Sequence, residues 1–223
     1  MAADDYLTEE EQAEALKKWF GENWLWMAAG VAIALFGLFG WQRYQSYRAD
    51  RAASAAQLLD QMTSALGTDD AKADSLLKQL SKDYAATSYA DQAHLLAAKH
   101  AVENGKFDVA ASELRTVMDS ANDRQLRMVA RIRLARVLLQ QKKADDALQL
   151  LDAGSAGAFA AEMHEVRGDA LLSKGDRAGA RGEYQAALDA YQNDSSVDTS
   201  LLKLKAEELN SDMPAAPQAA AAK

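Results

Sequence analysis

The pattern of apolar and polar positions changes once along this chain. From Trp24 to Trp41, "WLWMAAGVAIALFGLFGW", no residue is charged and no polar stripe interrupts the run. On either side, apolar residues recur three and four apart with charged residues between them, which is the period of amphipathic helices. The two prolines, Pro214 and Pro217, stand near the end, so none interrupts the body. The pattern predicts an all-α chain.

Eighteen uncharged residues at 1.5 Å per residue reach about 27 Å, close to the ~30 Å hydrocarbon layer of a bilayer. Trp24, Trp26 and Trp41 stand at the ends of the run, where indole rings favour the interface. A cleaved export signal fits poorly. The first 22 residues hold seven acids against Lys17 and Lys18, and the nearest small-x-small site, Ala53-Ser54-Ala55, lies beyond Arg43, Arg48 and Arg51. The run predicts a single retained transmembrane helix over 23–41. Lys17 and Lys18 on one side against three arginines on the other leave its orientation undecided. Gly30, Ala34 and Gly37 share one face and form a candidate packing surface for another membrane helix; the simpler alternative is that small residues are common in spans.

The arm, residues 1–22, is acidic. Thr8-Glu9-Glu10-Glu11 has the form of a capping box, and Ala13, Leu16 and Phe20 follow at helical spacing. This predicts a short amphipathic helix running toward the span, either resting at the membrane surface or offering acids to a basic partner.

The body, 42–210, contains a repeat. Ala110, Ala147 and Ala180 serve as anchors, 37 and then 33 residues apart. Five positions before them stand Gly105, Lys142 and Gly175; twelve before, Ala98, Ala135 and Gly168; four after, Leu114, Leu151 and Tyr184. A poorer copy has Ala73, Leu77 and the turn Gly67-Thr68, with its first helix over about 49–66. Each unit reads as two antiparallel helices joined by a tight turn, with small residues where the helices approach and a large one filling the gap. One pair cannot bury its apolar face alone, so the copies stack. A further amphipathic helix with Leu201, Leu202 and Leu209 predicts a C-terminal cap. The tail 211–223, rich in Pro and Ala, predicts disorder.

Composition narrows the chemistry. The 223 residues include no cysteine, which excludes thiolate catalysis and disulfides, and the formal charge of -8 argues against a nucleic-acid partner. His94 and His164 both stand sixteen before their anchors, in different repeats, so they predict no shared metal. His100 has no patterned carboxylate near it, and Asp145-Asp146 read as helix caps. No phosphate loop, zinc-helix motif or nucleophile elbow is present, so neither catalysis nor a cofactor is expected. Arg124, Arg127, Arg131, Arg133 and Arg136 lie on one helix. They form a solvated face balanced by acids, part of a peptide-binding groove, or a nucleic-acid contact, the last disfavoured by the net charge.

The repeat spacing resembles the tetratricopeptide repeat, most clearly at Gly168, Leu171, Gly175, Ala180, Tyr184 and Ala187. In such stacks the first helix of each unit lines the concave face. The resemblance places Gln92, Lys99, Val129, Arg136, Glu162 and Asp169 there as a candidate partner-binding groove. The expected fold is therefore a single transmembrane helix followed by a tetratricopeptide-like α-solenoid with a capping helix. The order of arm, span and repeats resembles the YfgM family. The resemblance is carried by "EALKKWFGENW", "GWQRYQSYRADRAASAA", "RIRLARVLLQQKKADDAL" and "EVRGDALLSKGDRAGAR". It implies a bacterial inner-membrane protein with a cytoplasmic N-terminus and a periplasmic repeat domain. The implied partners are the SecYEG translocon, the isomerase PpiD, and periplasmic chaperones or unfolded chains. The rival reading is a membrane-anchored scaffold for an envelope assembly complex.

Overall fold

A computed structural model of the chain describes residues 9–151, 157–191 and 197–211. These form α1 (Glu9–Ala65), α2 (Asp70–Asp83), α3 (Ser88–Glu103), α4 (Phe107–Ser120), α5 (Arg124–Gln140), α6 (Ala144–Leu151), α7 (Ala160–Ser173), α8 (Arg177–Tyr191) and α9 (Ser200–Ser211), with a 3-10 turn at Gly157–Phe159 before α7. Thr8 of the expected capping box, residues 152–156 after the second copy, and the tail from residue 212 lie outside the described residues.

The chain divides into two compact units, Met1–Ala53 and Ser54–Lys223. The described part of the first unit belongs entirely to α1. The expected arm helix, span and first repeat helix all fall within this one element; no proline separates them. None of its most apolar window is buried, whereas the core helix of a soluble domain is covered on its apolar face.

The second unit is built from helix pairs. α3 packs on α4, α5 on α6 and α7 on α8, while α4 also packs on α5 and α8 on α9. The three anchors Ala110, Ala147 and Ala180 are completely buried, as is Tyr184; Leu114 and Leu151 are nearly so. A continuous apolar core runs from Ala98 through Leu114, Leu134 and Leu151 to Val166. A second cluster joins Ala55 and Met62 of α1 to Ala73, Leu77 and Leu80 of α2, which establishes the poorer first copy.

The turns explain why the copies superimpose in sequence. After α3, the Lys106 N–H donates to Ala101 O and the Gly105 N–H to Val102 O; Lys143 and Lys142 do the same to Leu138 and Leu139, and Asp176 and Gly175 to Leu171 and Leu172. This pair of bonds is the Schellman ending, which needs a left-handed residue just past the helix. Gly105, Gly175 and Lys142 supply it at φ +69°, +84° and +61°. Lysine takes a conformation there that glycine adopts without steric cost.

One expectation about the cap changes. Leu202 and Leu209 are buried, but Leu201 is 64% exposed, and Ala206 is the third buried position. The apolar stripe of α9 therefore follows Leu202, Ala206 and Leu209, at i, i+4 and i+7, and packs on Tyr184 and Ala187.

In the third unit the small residue is glycine because the large one is aromatic. A Cβ on Gly168 would lie 2.4 Å from the Tyr184 ring. The other two units pair Ala98 with Leu114 and Ala135 with Leu151 at these positions. Gly168→Ala is expected to cost about 1–3 kcal/mol by overpacking. Combining it with Tyr184→Leu should cost less than the two single changes summed, as chemical denaturation of the four variants would show. Lys142→Gly is expected to stabilise by about 0.5–1 kcal/mol in the same measurement, since relief of the left-handed strain exceeds the added chain entropy.

Candidate functional site

A groove of about 620 Å³ opens between α3 and α5, with α4 beneath it. Its floor is Leu95, Ala98, Val102, Phe107, Leu114 and Val137, and its rim is Lys99, Glu103, Arg133, Arg136 and Gln140. Ala98 and Leu114 are also repeat-defining residues, so the groove is the outer side of the contact that holds the first pair together. Three cations face one carboxylate. Lys99 lies 3.7 Å from Glu103, and both are well exposed, so that pair is weak.

Among the sequence-predicted residues, the groove brings together Lys99 and Arg136. Gln92 is exposed on α3, and Val129 and Glu162 are half-buried on α5 and α7; none of them lines it. Asp169 is committed elsewhere. It accepts from Tyr184 Oη at 2.7 Å and from Lys205 Nζ at 2.8 Å, and Lys205 also reaches Glu165 at 3.1 Å. Glu165 in turn lies 3.8 Å from Arg136. A line of charges thus runs from the groove on α5, through α7, to the cap α9. Burial works against the Lys205 ammonium, but its bonds to Asp169 and Glu165 outweigh that and hold its pKa above the usual lysine range. Burial, reinforced by Asp169, pushes the Tyr184 phenol far up, so it stays a donor.

The rim residues Glu103 and Gln140 were legible as the next turn after Lys99 and Arg136 on the same helix faces. Arg133 stands one turn before Arg136. The arginine cluster does not act as one face. Arg127 donates to the carbonyls of Ala121 and Asn122 at the end of α4, while Arg133 and Arg136 enter the groove.

Each histidine has a carboxylate partner on another helix. His94 Nδ1 lies 2.5 Å from Glu113 and His164 Nδ1 2.7 Å from Glu183, each carboxylate nineteen residues on and three past its anchor. His100 lies 3.2 Å from Asp70, so it does have a carboxylate neighbour, brought from α2 by folding. The Gly67 N–H, with His100 adding, holds the Asp70 carboxyl below its usual range despite some desolvation. Asp145, expected as a cap, pairs with Lys174 at 2.5 Å.

His94 also stands 2.8 Å from Ser81, in the order serine, histidine, carboxylate. Ser81 Oγ donates to Leu77 O within α2, and the amides around it are spent in the helix, which leaves no oxyanion-binding pair beside it. The arrangement ties α2, α3 and α4 together.

A family model described as "Tetratricopeptide repeat-like domain" matches residues 17–211. The "Ancillary SecYEG translocon subunit" of Escherichia coli strain K12 is 33% identical over 186 residues, covering 82% of this chain and 88% of the relative. The chain belongs to the ancillary SecYEG translocon subunit family. Relatives of the same name in Aggregatibacter actinomycetemcomitans and Neisseria gonorrhoeae are 31% and 29% identical, over 91% and 92% of this chain and 98% of each relative. The family resemblance read from the sequence holds, and so does the tetratricopeptide-like fold. Family membership and the one long apolar helix among the described residues fit a single-pass inner-membrane protein, and the relatives' printed name is that of a translocon accessory.

Asp91, in the first turn of α3, is the buried charged residue among those described, at 8% exposure. Burial pushes its carboxyl up; His94 opposes this and Asp123 adds to it. A carboxyl raised on folding binds a proton more tightly in the native state, so stability falls as pH rises from the ordinary value of 3.8 through the raised one. Asp91→Asn is expected to raise the melting temperature at pH 7 and to flatten stability against pH over that window, as read by thermal unfolding across a pH series.

Proposed function

We propose that this chain is an inner-membrane-anchored accessory of the Sec translocon whose α3–α5 groove receives segments of newly translocated proteins. On this reading residues 1–22 are a cytoplasmic arm, 23–41 cross the membrane, 42–210 form the periplasmic binding domain, and 211–223 are a tail. The chain works beside SecYEG and PpiD and passes its clients to periplasmic chaperones. Gly30, Ala34 and Gly37 pack against a partner's membrane helix; nothing described lies within 4 Å of a Cβ placed on Gly30 or Gly37, so that face is open.

The observation that carries the reading is the groove's chemistry in a chain of this family. Its floor is apolar and its rim is cationic, although the whole chain has a formal charge of -8. A volume of 620 Å³ suits a few side chains of a peptide. Such a groove favours segments in which apolar residues are flanked by carboxylates, and it has little to offer nucleic acid beyond two arginines and a lysine. Gln92, Val129, Glu162 and Asp169 belong to the surrounding face of the repeat stack and act as its margin.

Photo-crosslinking residues placed at Lys99 and at Arg136 test this on membranes carrying an arrested translocating chain. Both positions are expected to yield adducts with that chain, and a position in the α5–α6 turn, Lys143, is expected to yield far fewer. Recovery of envelope-assembly proteins, without translocating chain or translocon subunits, would instead establish the scaffold role. The topology is tested separately by protease added to spheroplasts. The repeat domain is expected to be digested; its protection until the membrane is broken would reverse the orientation.

A further inference from the structure

We propose that the end of α1 following the apolar run carries a binding face for anionic phospholipid headgroups, formed by Trp41, Tyr44, Tyr47, Arg48 and Arg51. The inference concerns a different part of the chain from the groove and does not depend on what the groove holds. At 100° per residue these five side chains fall within an arc of about 120° on the helix, and Arg43 lies about 40° outside it. Asp50, the one acid between residues 42 and 53, falls off that arc. The face is therefore aromatic at its start, cationic further on, and free of carboxylates of its own.

The side chains are arranged as a ladder. The rings of Trp41 and Tyr44 stand 6.5 Å apart. The Arg48 guanidinium lies 5.8 Å from the centre of the Tyr44 ring, and that of Arg51 lies 5.7 Å from the centre of the Tyr47 ring. Arg51 also donates to Tyr47 Oη at 2.8 Å. Each arginine thus leans back one turn, toward the apolar run, as long side chains on a helix do. This draws both charges to the level where the hydrocarbon meets the headgroups. Trp41, Tyr44 and Tyr47 remain more than half exposed, so the rings have room to sit among lipids.

A phosphate diester fits this face for two reasons. A guanidinium presents a planar fork of N–H donors that matches two phosphate oxygens, and resting it on a ring reduces the freedom lost when it binds. The Trp41 and Tyr44 rings occupy the interfacial layer just below, which fixes the depth at which the arginines work. The other end of the run differs. Lys17 and Lys18 there are interspersed with Glu10, Glu11, Glu14 and Glu22, so no comparable cationic face exists. Arg48 and Arg51, two of the three arginines that left the charge rule undecided, have a local use at the membrane surface.

The test uses the full chain in nanodiscs made from equal parts phosphatidylglycerol and phosphatidylcholine, with native mass spectrometry of the lipids released still bound to it. The native chain is expected to retain phosphatidylglycerol several-fold over phosphatidylcholine. Arg48→Gln combined with Arg51→Gln is expected to bring the ratio to parity, while Lys17→Gln combined with Lys18→Gln leaves the enrichment in place. Equal retention of the two lipids by the native chain, or enrichment that survives in the arginine variant, would overturn the proposal.

Discussion

The repeat stack depends on close approach between the two helices of each pair. Small residues on both helices permit it: Ala98 with Ala110, Ala135 with Ala147, and Gly168 with Ala180. The large residue four positions on then fills the space beside the contact. In the third pair that residue is a tyrosine, and the backbone partner has lost its Cβ to admit the ring. There the contact also carries polar chemistry. Tyr184 reaches Asp169, and Lys205 of the cap lies 5.6 Å from the centre of the same ring. The packing contact and the attachment of the last helix are thus one structure.

The groove follows from the same geometry. Ala98 is too small to fill the outer side of its contact, so space remains over Leu114 between α3 and α5, and the longer side chains of both helices rim it. Arg136 stands at the junction of two systems. It faces the groove and also approaches Glu165, which shares Lys205 with Asp169. On the proposed function, an acidic segment in the groove would compete with Glu165 for Arg136.

Much of this was readable in the sequence because packing at helix contacts constrains residue size at fixed spacing. The anchors, the three left-handed turn positions and the large residues at +4 fall where the alignment put them, since each is fixed by its own repeat. What was not legible depends on neighbours far away in the chain. Leu201 and Ala206 exchange roles because α9 is oriented by Tyr184 and Ala187, which no local pattern records. Asp70 reaches His100 only after α2 folds onto α3. Glu113 and Glu183 did leave a signal, a carboxylate nineteen residues after a histidine in two copies. The groove was half-visible: Lys99 and Arg136 line it, but Asp169, equivalent by alignment, is held by Tyr184 and Lys205. Equivalent positions share a helix face without sharing an environment when their own repeat carries a different large residue.

The most direct test of the repeat geometry and the groove is the proximity of Lys99 and Arg136. The chain has no cysteine, so Lys99→Cys and Arg136→Cys create a unique thiol pair. A bis-maleimide with a reach of about 10 Å, the spacing of packed helices, reports on it in dilute full-length protein. Rapid closure within one chain is the expected result. A chain that keeps its helical content and melting transition but does not close would contradict it.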